Sequence, residues 1–104
     1  MAMITLEEAK AYLRVDTSDE DAVIGALLAS ACRLCEDIAR MTDERWNEVW
    51  NNMDDPDLIP VREAVRIAVF YALAYFFEHR EEADHHALVM TLRSLLFAVR
   101  EGVM

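Results

Sequence analysis

The sequence predicts an all-α fold, a compact bundle of four to five helices built around a long apolar helix at about residues 60–80. Three observations lead there. Apolar residues recur at helical spacing four or five times along the 104 residues, and the alternation of a strand is absent. Gly and Pro number two each, so the chain carries little turn punctuation. The stretch Ala64–Phe77, AVRIAVFYALAYFF, is apolar or aromatic at every position except Arg66. It is too short for a bilayer span, which needs about 20 apolar residues. A helix that is apolar nearly all round is buried all round, and in so small a protein that burial calls on other chains.

The elements follow in order. Thr5-Leu6-Glu7-Glu8 reads as a capping box that opens the first helix, which runs to about Arg14 with Leu6, Ala9 and Leu13 as its apolar stripe and Tyr12 at the edge. Ser18 or Thr17 caps the second helix, and Asp19, Glu20 and Asp21 suit the positive end of its dipole. Its stripe is Val23, Leu27, Leu34, Ile38 and Met41, widened by Ile24, Leu28 and Ala31, and it ends near Met41. Trp46, Val49, Trp50 and Met53 stand at the spacing of a short amphipathic helix, although Thr42–Met53 also fits a loop. The two tryptophans read either as an interaction patch or as a lid on the core. Pro60 suits the first turn of the third major helix, which runs to about Glu78 or Arg80. Asp84 caps a last helix from His85 to about Arg100, with Leu88, Leu92, Leu95, Leu96 and Val99 inward and Gly102 as its stop.

The long apolar helix divides into faces at about 100° per residue. Val61, Val65, Ala68, Ala72, Tyr75 and Phe76 form the side expected to meet the chain's own core. Ala64, Ala68 and Ala72 recur every fourth residue and permit close approach of another helix. Phe70, Leu73 and Phe77 lie roughly opposite, mixed with Arg62, Glu63 and Arg66. An apolar strip with charged borders has the make-up of an interface. Arg62 and Arg66 stand near the helix N-terminus, where the dipole disfavours cations, so an acidic partner surface would compensate. The expected interface residues are thus Arg62, Arg66, Phe70, Leu73 and Phe77, with Trp46 and Trp50. The other way to cover the strip is with the terminal helix or the Trp segment of the same chain.

Bulk properties narrow the function. The length fits one domain, residues 1–104. The hydrophobic fraction of 55% exceeds the roughly 45–50% of typical soluble domains and favours oligomerisation. A formal net charge of −10, with Lys10 the only lysine, argues against gripping a phosphate backbone. The first apolar run, Met1–Ile4, is too short for a signal peptide, and two cysteines make no disulfide framework, which together point to synthesis in the cytosol.

Sites for chemistry are scarce. Cys32-Arg33-Leu34-Cys35 spells CxxC but falls in mid-helix, where the thiols lack the helix N-terminus that activates a redox pair, so core packing is expected. The run Glu78–His86 is rich in His and carboxylates but matches no zinc spacing and straddles a turn. No Gly-rich phosphate loop, GxSxG or HExxH occurs. No catalytic residue, cofactor or metal is expected, and the chain is not expected to be an enzyme.

Ile4–Ala31 resembles the opening of the small all-helical phage head–tail connector proteins, through Leu6, Glu7, Glu8, Lys10, Leu13, Arg14, Val15, Asp16, Asp19, Asp21, Ile24, Leu27 and Leu28. A second block of that family is similar to Ile59-Pro60-Val61, Ala64, Phe70 and Tyr75 through Glu81, and a closing block to Leu92, Leu95, Leu96 and Arg100. The matches run in order over most of the chain. Met41–Arg45 stands where the family often has a Thr-Gly-Arg-like turn, and Trp46–Met53 has no clear counterpart. The resemblance implies a structural virion protein, made in the bacterial host cytoplasm and placed at the head–tail junction. It implies a homo-oligomeric ring of about a dozen copies that docks under the portal, extends the DNA channel without specific DNA binding, and presents a platform to the next head-completion or tail protein. No membrane is involved. The rival from the residues alone is a small acidic helical protein-binding module, a regulator or inhibitor of a host or phage protein. A ligand-binding domain using the His-rich turn is the third.

Overall fold

The computed structural model describes residues 4–51, 55–79 and 85–97. These residues form helices α1 (Leu6–Leu13), α2 (Asp21–Ile38), α3 (Asp43–Asn51), α4 (Ile59–Glu78) and α5 (His86–Leu96), with a 3-10 turn at Pro56–Leu58 leading directly into α4 and no strand among them. α4 is the longest, at 20 residues, and touches all four other helices and the 3-10 turn. α2 lies along it in the most extensive helix pair.

Each boundary has a local cause. The capping box of α1 is formed on both sides. The Glu8 N–H donates to Thr5 Oγ1 at 3.1 Å, and the Thr5 N–H donates to Glu8 Oε1 at 3.0 Å. α1 stops at Arg14, which turns left-handed (φ 60), and the Val15 N–H reaches back to the Lys10 carbonyl at 2.9 Å. α2 ends in the same way. Arg40 has φ 58, and the Met41 N–H bonds the Glu36 carbonyl at 3.2 Å. Both are Schellman-type stops with arginine where glycine is usual. The Thr42 hydroxyl accepts the Arg45 N–H at 3.0 Å and opens α3, so the segment that fitted either a helix or a loop is helical from Asp43 to Asn51. Pro60 falls in the first turn of α4, where its missing N–H has no helical partner to lose.

The start of α2 differs from expectation. Its N-cap is Glu20, and neither Ser18 nor Thr17 caps it with a side chain. The Ser18 carbonyl instead accepts the Asp21 N–H in a turn, and this delays the helix. The end also comes earlier than Met41, because Arg40 leaves the helical conformation. The Asp84 cap, Val99 and the Gly102 stop lie outside the described residues.

The core comprises Ile24, Ala31 and Cys35 of α2, Trp46, Val49 and Trp50 of α3, Val65, Ala68, Val69, Ala72 and Leu73 of α4, and Leu88, Leu92 and Leu96 of α5, joined by Ile4, Ala9, Ala39, Met41 and Leu58. Fully buried alanines on α2 and α4 keep little bulk between the helices. In α2 the buried stripe is centred about one residue later than the sequence suggested. Ile24 and Ala31 are enclosed, whereas Val23 faces out. In α5, Leu95 is on the outer side.

Candidate subunit interface

α4 is the element on which an interface was expected. Its buried positions are Arg62, Val65, Ala68, Val69, Ala72 and Leu73. Leu73 is 0% exposed, so it belongs to the core and not to an outer strip. The outward face instead carries Glu63, Ile67, Tyr71 and Glu78, with Ile67 60% and Tyr71 42% exposed. Ile67 and Tyr71 are one helical turn apart and form an apolar strip that nothing in the pattern of this nearly all-apolar stretch sets apart.

Arg66 and Phe70 sit at the edge of this strip, half-buried against α1. Arg66 Nη2 meets Glu8 Oε2 at 3.0 Å, and the guanidinium lies 5.3 Å from the centre of the Phe70 ring. Phe70 stacks on Tyr12, with ring centroids 4.7 Å apart. The acidic partner that Arg66 needs near a helix N-terminus is therefore supplied within the chain. Two hydrogen bonds hold the Glu8 carboxyl below the usual carboxylate range, first from the Thr5 backbone and then from Arg66. The ring that stacks on Phe70 comes from α1. Phe77, also half-buried, joins Tyr12, Leu13, Arg14, Ala74 and Glu78 around a groove of about 390 Å³ between the end of α1 and the C-terminal half of α4.

Arg62 is only 8% exposed, and its Nε–H donates to the Val49 carbonyl at 2.8 Å. Val49 lies in the last turn of α3, where carbonyls have no helical donor, so Arg62 closes α3 from α4. Trp46 and Trp50 are both buried and meet edge to face with centroids 5.8 Å apart. Within the single chain they act as a lid on the core.

The remaining candidate chemistry has structural employment. Cys35 is buried and Cys32 half-buried on α2. Burial pushes the Cys32 thiol up to about 11, with Glu36 adding to the effect, and the Cys35 thiol up to about 12, with Cys32 adding. Both stay protonated at neutral pH, unlike a redox pair. His79 stacks on Tyr75 at 4.2 Å, with its Nδ1 3.0 Å from the Tyr75 carbonyl oxygen, and His85 meets Tyr75 and Phe76 edge-on. The other members of the His-rich run, from 80 to 84, lie outside the described residues. No three His, Cys, Asp or Glu side chains come together for a metal among the described residues. No helix among them is long and apolar enough to cross a membrane.

The helix order, the length of α4 and the capping box of α1 are joined by a comparison of the whole sequence. The family model of the phage gp6-like head-tail connector proteins matches residues 3–101. The chain belongs to this family. No curated protein and no solved structure matches the chain. A head-tail connector is a structural part of a phage particle, not an enzyme. The matched span takes in all five helices.

Proposed function

We propose that this connector is one subunit of a ring under the phage portal, extending the DNA channel and joining head to tail. Residues 1–104 act as one helical connector domain. It is made in the bacterial cytoplasm and ends at the head–tail junction of the virion. Its partners are further copies of itself, the portal, and the next head-completion or tail protein. The reading is carried by the apolar strip of Ile67 and Tyr71, which stands open on the outer face of the helix that organises the core. Exposed apolar residues at helical spacing, bordered by Glu63 and Glu78, fit a protein–protein contact. Arg66, Phe70 and Phe77 form the partly covered margin of that contact. The net charge of −10 fits a channel wall that DNA passes without binding.

The test uses purified portals. The wild-type chain is expected to join them as a ring visible by negative-stain microscopy. The Ile67→Asp/Tyr71→Asp variant should keep its helical circular dichroism and melting temperature but fail to form the ring. Rings of normal yield from that variant overturn the role of the strip. A wild-type chain that never joins portals, and binds some other protein instead, overturns the connector-ring reading in favour of a protein-binding regulator.

A further inference from the structure

We infer that the two ends of α2 are the complementary halves of a head-to-tail contact between copies of this chain. At the C-terminal end, Arg40 and Arg93 line one groove of about 280 Å³ with Ile38 and Val89. Arg93 also borders an adjoining hollow of about 540 Å³ that includes Met90 and Phe97. Both arginines are exposed, and neither forms an ion pair among the described residues. The C-terminal dipoles of α2 and α5 each favour one cation. The two cations nevertheless share one groove, where like charges repel. An occupant bearing carboxylates offsets that repulsion, and Ile38 and Val89 meet its aliphatic parts.

The other end of α2 offers such an occupant. Asp16 and Asp19, in the connection from α1, are exposed and form no ion pair among the described residues, whereas Asp21 beside them is tied to Lys10 at 2.8 Å. The 18 residues of α2 separate the two ends by about 25 Å. The acidic connection and the basic groove therefore cannot meet within one molecule. They meet when the connection of one copy enters the groove of the next. A contact between two different surfaces has a direction, and it closes into a ring when the rotation allows. The closure rests on the ring reading above, while the pairing of ends is a separate claim. A second copy is favoured over duplex DNA because two arginines in a chain of net charge −10 make a weak phosphate grip.

Two variants test this: Arg40→Glu/Arg93→Glu, and Asp16→Lys/Asp19→Lys. Sedimentation velocity at millimolar protein and low salt reads association, with circular dichroism as the folding control. Arg93→Glu alone repeats the test with one exposed substitution. The wild-type chain should associate, and less so as salt is raised. Each double variant should stay monomeric alone, with unchanged helicity. Their equimolar mixture should associate again, because one then has two acidic ends and the other two basic ends. Variants that associate like wild type overturn this contact and leave the ring reading standing. A loss that mixing does not restore also overturns it. So does a wild-type chain that is monomeric under these conditions, with the portal assay still deciding the ring reading. If Arg40→Glu/Arg93→Glu associates normally but loses binding to a short DNA duplex, the arginines serve phosphate and the contact is wrong.

Discussion

Glu8 of α1 and Arg66 of α4 stand 58 residues apart in sequence and 3.0 Å apart in space. The same carboxylate closes the capping box on Thr5 with its other oxygen. One side chain thus starts a helix and fastens it to the central one. The Arg66 guanidinium reaches on to Phe70, and Phe70 to Tyr12, so the α1–α4 seam is a continuous run of ion pair, cation–π contact and ring stack.

Because the folded carboxyl of Glu8 lies below its ordinary value, the folded state holds that proton less tightly than the unfolded chain does. Its contribution is present above the unfolded value near 4.5 and is lost as pH falls through the folded value. Melting temperature measured against pH in wild type and Glu8→Gln should differ most at neutral pH and converge in acid. Glu8 is partly exposed, so the difference should be within about 1 kcal/mol.

Glu36 should behave with the opposite sign. It is 8% exposed, and burial first, then the hydrogen bond and charge of Asp43, push its carboxyl up to about 6, with Asp37 adding and Arg33 opposing. The folded state keeps this proton between about 4.5 and 6 while the unfolded chain releases it. Stability from this group is present below 4.5, falls across that window and is gone above 6. Glu36→Gln should flatten this part of the stability–pH curve and melt higher than wild type at pH 7.5, by up to about 1 kcal/mol after solvent screening. A variant melting lower at that pH would contradict the carboxyl–carboxyl arrangement.

Replacing Arg62 by Met keeps the aliphatic bulk but removes the donor to the Val49 carbonyl. A buried acceptor left without a partner costs about 1–3 kcal/mol. Denaturant melts should show that loss. Hydrogen exchange should show it earliest in the last turn of α3, ahead of α2 and α4.

The division of α4 into faces predicts a contrast between two aliphatic residues on one helix. Leu73→Ala removes a fully buried side chain and should destabilise by about 2–5 kcal/mol. Ile67→Ala, on the open strip, should change stability by no more than about 0.5 kcal/mol. Equal losses at the two positions in urea titrations would mean that the strip is covered within the monomer.

The helical class, the capping box at Thr5 and Glu8, the Pro60 start and the inward Leu88 and Leu92 were all legible in the sequence, because each rests on interactions within a few residues. The faces of α4 were not. With 13 of 14 residues apolar from Ala64 to Phe77, almost no polar residue marks which side meets water. The polar residues that are present mislead. Arg62 and Arg66 look like an outward rim, yet their partners are Val49, 13 residues away, and Glu8, 58 away. Long-range pairing of this kind leaves no periodic trace. Leu73 was displaced from the strip to the core for the same reason, and Ile67 and Tyr71 took its place. The delayed start of α2 was hidden because Ser18 makes a backbone turn where a side-chain cap was expected.

Both tryptophans of the chain sit on α3, the short helix that Arg62 ties to α4. Tryptophan fluorescence, excited selectively over the three tyrosines, therefore carries the signal of one element. Emission that shifts to the red while far-ultraviolet dichroism holds would time the release of α3 from its seat. The molecule comes with its own optical gauge for that one joint, and no dye has to be attached.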